Sequence, residues 1–372
     1  MIQYIVIIVA TLAMYFLQRK LYEYFWAEGL EVELKFQSGD LFEGNEGYLQ
    51  EVIVNDKWLP LPLLNIKFQT DKNLTFSDAR ISEKTDQYYR NDVFRIGAYK
   101  KVTRTLRFKA EKRGVYGING IDIHASDLFM SSYFKASQQE DMYFYVYPRP
   151  FYSKDFLHCL QMVNGQLQTK RQYLEDPFEY RGIREYQPYD DMKSINWKAT
   201  AKTGDFKVNL HDFTAVKSVR IFLNLEDDRF HGKADCAEAC IRIATGICRF
   251  FSDKGMKVSC YANTRDKYGS GIALDEKRTL QEVYRALAGI DINGDTQDFA
   301  KIYRNRMLTE NKGEFTFVIS MNAYDDFVEL LHKYHLVSGD FIWFYPYQRK
   351  LDFTAPGELE SCFRPINISY IS

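Results

Sequence analysis

Residues 219–261, VRIFLNLEDDRFHGKADCAEACIRIATGICRFFSDKGMKVSCY, decide the fold of the carboxyl half of this 372-residue chain. Val219 to Leu225 is an apolar strand. Lys233 to Asp253 then carries Ala237, Cys240, Ile241, Ala244, Ile247, Cys248 and Phe251 at helical spacing. Met256 to Tyr261 is a second strand, set off by Gly255. Strand, helix, strand in that order predicts a parallel sheet with helices on both faces, whose ligands bind beyond the carboxyl ends of the strands. Cys236, Cys240 and Cys248 fit small core side chains on the helix, with metal or redox chemistry as the competing use.

The alternation continues outward from that unit. Arg278 to Ala288, Thr296 to Met307 and Tyr324 to His335 read as helices, and Phe315 to Ile319 and Phe341 to Tyr345 as strands. Residues 217–350 are therefore expected to form a doubly wound α/β domain, followed by an extension over 351–372.

Toward the amino terminus the period falls to two. Leu30 to Phe36 alternates apolar and charged residues, as a strand with one buried face does. Leu49 to Val54, Leu64 to Phe68, Val102 to Phe108, Ile121 to Ile123 and Tyr143 to Tyr147 follow, separated by turn residues such as Asn55-Asp56 and Gly117 to Gly120. This predicts an Ig-like β-sandwich over residues 29–150, closed by Pro148-Arg149-Pro150, and a connecting region over 151–216.

Ahead of the sandwich, Ile2 to Leu17 is uncharged and covers about 24 Å as a helix, somewhat short of a ~30 Å hydrocarbon core. Gln18, Arg19 and Lys20 can snorkel, and Leu21 to Trp26 supplies interfacial aromatics, so residues 1–28 read as an uncleaved single-pass anchor. A signal peptide would begin with a basic region and end in small residues, and this segment does neither. The positive cluster follows the span, which places the bulk of the chain in the cytoplasm. Six cysteines without a CxxC pair agree with a reducing compartment.

Composition excludes several classes. At 46% hydrophobic and 16% aromatic with 9 prolines, the chain is globular, not disordered. Forty-nine basic residues against 50 acidic ones give no field that would draw nucleic acid. No phosphate loop, HExxH helix or GxSxG elbow occurs, and Tyr268-Gly269-Ser270-Gly271 reads as a turn. His332 and His335 lack a companion acid in sequence, and Cys159 beside His158 is not the geometry of a nucleophile and its base.

Between the halves lies FEYRGIREYQPYDDMKSINWKATAKTGDFKV, residues 178–208, polar, aromatic and of mixed charge, which reads as an ordered surface loop. Arg181, Gly182, Arg184, Glu185, Tyr186, Pro188, Asp190, Asp191, Trp197, Lys198, Ala199 and Gly204 resemble the signature of the bacterial domain-of-unknown-function family 58. Tyr189 stands where that family often has glycine, and Asn196 where it often has Asp. Lys112 to Tyr116 with Ser126 to Phe129 is similar to the family's sandwich, so the resemblance covers nearly the whole chain. It implies a membrane anchor, a β domain and a von Willebrand factor type A-like domain. It further implies a non-enzymatic scaffold working with a MoxR-type AAA+ ATPase and a transglutaminase-like membrane protein in assembly or maturation.

Type A domains commonly hold Mg²⁺ through an Asp-x-Ser-x-Ser loop and two further loops, a ligand set of hard oxygens. Here the matching positions are Glu226 and Asp228, Thr296 and Asn322, with no serine at the hydroxyl positions, so any ion would be weakly held. The expected contact residues of the scaffold are Arg184, Glu185, Asp190, Asp191 and Trp197, read as an aromatic buried among paired charges. The same residues serve equally as glue between domains. The competing enzyme reading is a hydrolase, or a metal-dependent binding protein, using Asp190 and Asp191 or the acids from Glu226 to Asp228.

Overall fold

The computed structural model describes residues 2–77, 81–84, 87–173, 175–213, 218–226, 233–266, 271–274, 278–309, 314–338, 341–348 and 353–368. They fall in two compact units, residues 1–149 with 287–289, and residues 150–286 with 290–372.

The first unit opens with helix α1 (Ile2–Phe25), long and apolar enough to cross a membrane and unburied along its apolar stretch. Ten strands follow: β1 (Leu30–Phe36), β2 (Leu41–Phe42), β3 (Glu46–Asn55), β4 (Leu61–Asp71), β5 (Leu74–Phe76), β6 (Ile81–Lys84), β7 (Gln87–Ile96), β8 (Lys100–Ala110), β9 (Gly114–Ser126) and β10 (Tyr133–Tyr147). They form one sheet in the order β1-β3-β8-β5 and a second in the order β2-β10-β9-β4-β7-β6. Alternation in β1 does what the pattern predicts, burying Val32 and Leu34 while Glu31, Glu33 and Lys35 face water. The two sheets share one apolar core, in which Leu49, Ile53 and Leu106 of the first meet Ile66, Ile118 and Phe144 of the second. Phe144 stacks on Phe36 at 4.8 Å and meets Phe108 edge-on at 5.7 Å, so three rings join the sheets.

Charges are buried in this core as a group. Asp92 accepts from Arg90 Nε at 2.5 Å and from Arg104 Nη1 at 2.8 Å, and Arg90 lies 5.0 Å from the Phe76 ring. Beside them burial first, and then the Asp92 carboxylate, push the Glu51 carboxyl up to about 8.

The second unit contains α2 (Lys154–Tyr173), β11 (Glu175–Glu185), α3 (Trp197–Thr203), β12 (Lys207–Phe213), β13 (Ser218–Asn224), α4 (Lys233–Asp253), β14 (Lys257–Arg265), β15 (Gly271–Leu274), α5 (Leu280–Gly289), α6 (Phe299–Thr309), β16 (Phe315–Ser320), α7 (Asp325–Ser338), β17 (Phe341–Tyr347) and β18 (Phe363–Asn367). Its main sheet runs β15-β14-β13-β16-β17-β18, parallel except for the edge strand β15. β13 and β16 are buried almost throughout, as strands covered on both faces must be. The chain leaves β13 for β14 on one side and later returns to lay β16 on the other, so a topological switch point lies between β13 and β16.

Three features depart from the sequence reading. Residues 154–173 form α2 within the expected connecting region, with Phe156, Leu160, Val163 and Leu167 buried along one stripe. Residues 178–208 are not a loop throughout: β11 and β12 pair antiparallel around them. The carboxyl-terminal extension supplies β18 to the sheet. Backbone contact explains one glycine, because Phe151 N donates to Arg242 O at 2.9 Å and a Cβ on Gly246 would lie 2.7 Å from Phe151 O. Cys240 and Cys248 are buried in α4, as the helical spacing requires.

Candidate functional site

The signature residues occupy the β11–β12 hairpin and its long connection. Gly182 pairs with Leu210, Arg184 with Val208 and Glu185 with Lys207, which fixes the base. Arg184 then grips Asp190 through two guanidinium hydrogen bonds of 2.5 Å, and Asp190 also accepts from Gln187 N at 2.8 Å. The Arg184 hydrogen bonds hold the Asp190 carboxyl below the usual carboxylate range. Asp191 caps a 3₁₀ turn over Met192–Ser194 by accepting from Lys193 N, and Lys207 reaches Glu185 at 3.1 Å. These acids are committed to shaping the backbone. Asp190 is thus paired with a cation while Asp191 caps a turn, so the two neighbouring carboxylates have different partners.

Asn196 accepts from Ala199 N at 2.9 Å and so caps α3, while its amide donates to Asn209 across the hairpin at 2.7 Å. Gly204 ends α3 in the left-handed conformation, φ 81°, where a side chain would be strained. Tyr189 sits in a turn closed by Asp190 N to Gln187 O at 2.9 Å and has no positive φ, so the glycine common in the resembling family is not required.

The aromatic side chains are turned outward. Trp197, expected to be buried, is 62% exposed, Tyr189 81% and Phe206 54%. Trp197 meets Phe206 edge-on at 6.4 Å and Tyr186 lies 6.0 Å from the same ring, giving one aromatic face. Met192 and Ile183 are also exposed, and so is Lys198 in the first turn of α3. Arg181 lies in β11, and its side chain is outside the described residues. Sequence reasoning missed Phe206, although Gly204-Asp205 before it marked the end of a helix.

A second region lies at the switch point, a cleft of about 560 Å³ lined among others by Asn224, Glu226, Asp298, Arg304, Asn322 and Lys333. Its floor is a buried network of neutral groups. Asn224 Oδ1 accepts from Asn263 Nδ2 at 2.7 Å and from Glu226 N at 3.1 Å, and its amide donates to Ser320 Oγ at 3.2 Å. Asn263 Oδ1 accepts from Leu225 N, and Asn322 Oδ1 from Tyr324 N. Of the expected Mg²⁺ ligands, Glu226 and Asn322 line the cleft, Thr296 is exposed and off the lining, and Asp228 lies outside the described residues. The Asn322 oxygen is already engaged, and among the described residues no group of three or more His, Cys, Asp or Glu stands close enough to hold a metal. Among the described residues, Glu226 and Asn322 are the expected oxygen donors that share the cleft.

Elsewhere His332 does have an acidic companion, Glu358, and His335 packs edge-on against Phe341. Burial pushes the Cys159 thiol up, the opposite of what a nucleophile needs.

No family model and no curated protein matches the chain. Among solved structures it is similar to Spo0M, a sporulation control protein from Bacillus subtilis, at 11% identity over 43% of this chain and 58% of that one, TM-score 0.20. It is also similar to AvmM, which catalyses macrocyclization in alchivemycin A biosynthesis, at 10% identity over 34% of this chain and 93% of that one, TM-score 0.23. A non-cellulosomal cohesin from the hyperthermophilic archaeon Archaeoglobus fulgidus is 11% identical over 35% of this chain and 96% of its own, TM-score 0.22. The chain spans under two thirds of the length of Spo0M, and likenesses this slight carry no argument about fold or activity.

Proposed function

We propose that the chain is a non-enzymatic, membrane-anchored scaffold whose β11–β12 hairpin docks a MoxR-type AAA+ ATPase on the cytoplasmic side of a membrane. The observation that carries this reading is the division of labour in the hairpin. Arg184 pairs with Asp190, Lys207 with Glu185 and Asp191 with the backbone, and the aromatics Trp197 and Phe206 are left facing water. Exposed aromatics on a rigid support have the composition of an interface hot spot. A β-sandwich behind α1, and an α/β sheet of doubly wound order, support the architecture that the family resemblance implies. Arg19 and Lys20 after the apolar run support a cytoplasmic orientation.

A photoreactive phenylalanine analogue placed at position 197 of the full chain tests the docking surface in intact membranes. Covalent capture of a MoxR-type AAA+ ATPase, identified by mass spectrometry, is expected. Its absence while a control probe at Trp58, on the other unit, captures the same ATPase would move the contact away from the hairpin.

A further inference from the structure

We infer that the turn joining β9 to β10, residues 127–132, is a second membrane contact that seats Leu128, Phe129 and Met130 in the headgroup and upper acyl region beside α1. The inference rests on reading α1 as a membrane span. All three side chains are apolar and exposed, at 51%, 58% and 45%, three in succession at the tip of a hairpin. The next exposed aromatic, Tyr133, begins β10 and suits an interface.

Depth follows from contacts with α1. The Phe129 ring lies 6.2 Å from that of Tyr15, and Gln18 Nε2 donates to Asp127 Oδ2 at 3.1 Å. Tyr15 belongs to the last turn of the uncharged run Ile2–Leu17, and Gln18 is the first polar residue after it. Because α1 is one continuous helix, any bilayer that receives Ile2–Leu17 meets the turn at the same level. Farther along the same face Tyr22 and Trp26 are buried, Tyr22 Oη donates to Pro60 O at 2.8 Å, and Trp26 stacks on Phe134 at 6.0 Å. The helix is thus fixed to the β unit, so the turn cannot drift away from the surface.

The turn is built to present its apolar tip. Asp127 is fully buried, and its carboxylate accepts from Ser131 N at 2.6 Å, Ser131 Oγ at 2.5 Å and Ser132 N at 3.2 Å. Met130 N donates to Asp127 O at 3.1 Å, and Met130 is held at φ 56°, a region a side-chain-bearing residue rarely adopts. The cage holds a strained backbone so that three apolar side chains point outward. The uncharged run is also short of a full hydrocarbon thickness, and an apolar turn at its end extends the contact.

The test places a photoreactive phenylalanine analogue at Phe129, at Phe16 on α1 or at the exposed Tyr143, ten residues along β10 from Tyr133 and beyond the bulge at Gln138 to Asp141. Each full-length variant is reconstituted in phosphatidylcholine and phosphatidylglycerol vesicles, and lipid adducts are measured by mass spectrometry. About tenfold more lipid adduct at 129 than at 143, with strong labelling at 16, is expected. Labelling at 16 with 129 no higher than 143 would overturn the inference and leave the membrane reading of α1 standing. Absence of lipid adducts at 16 would remove the membrane reading and this inference with it. Protein adducts in place of lipid at 129 would also overturn it, by making the turn a protein contact.

Discussion

Arg184 and Asp190 are joined by two hydrogen bonds of 2.5 Å, and this pair closes the connection that carries Trp197. The geometry is that of a planar guanidinium facing a carboxylate, which a lysine cannot reproduce. Arg184→Lys and Asp190→Ala are therefore expected to speed amide exchange over residues 185–196 by roughly tenfold while the α/β core keeps its protection. Since the pair lowers the Asp190 pKa, the order it gives is present above the ordinary carboxylate range and is lost as pH falls through the lowered value. Exchange compared at pH 7 between wild type and variants, and followed in wild type as pH is lowered through the acid range, checks both points; equal protection in wild type and variants at pH 7 would show that the pair holds nothing.

Glu51 gives the β unit the opposite dependence. Its folded-state value of about 8 exceeds the ordinary 4.5, so between those values the folded chain holds a proton that the unfolded chain has released. Stability falls as pH rises through that window. Glu51→Gln keeps the shape without the ionisation, and its thermal midpoint is expected to vary less from pH 5 to pH 9 and to exceed that of wild type at pH 9. Parallel pH profiles for the two proteins would rule out Glu51 as the titrating group.

Gly246 sits inside α4, where alanine would ordinarily stabilise by about 1 kcal/mol. Contact with Phe151 O at 2.7 Å reverses the sign. Gly246→Ala is expected to destabilise the second unit by about 1–3 kcal/mol, read by denaturant unfolding. A more stable variant would mean that the Phe151 segment yields freely.

Orientation has a separate check. Protease added outside intact cells is expected to leave residues 29–372 uncut and to digest them after permeabilisation. Digestion in intact cells would place the bulk of the chain on the outer side and exclude a cytoplasmic ATPase as its partner.

The sequence was most legible where one period ran unbroken. β1 was readable residue by residue because apolar and charged side chains alternate, and α4 because its apolar residues fall on one stripe. α2 was missed although Phe156, Leu160, Val163 and Leu167 are correctly spaced, since its other positions are polar and resemble a linker. β15 and β18, of 4 and 5 residues, are held by their partner strands and carry little pattern of their own. In the candidate site the signature residues could be chosen from sequence, but their roles could not. In the folded chain Asp190 pairs with Arg184 and Trp197 is turned to water, neither of which local spacing encodes. The amide network under the cleft joins Asn224, Asn263 and Ser320 from three strands, a juxtaposition no local spacing encodes.

The most direct test of the scaffold account is affinity capture of the full chain from gently solubilised membranes, comparing wild type with Trp197→Ala/Phe206→Ala. Both side chains are exposed, so the thermal midpoint is expected to move little, while affinity for the MoxR-type AAA+ ATPase should fall by about thirtyfold or more, corresponding to roughly 2 kcal/mol. Equal recovery of the ATPase with both proteins, or none with wild type, would contradict docking through this aromatic face.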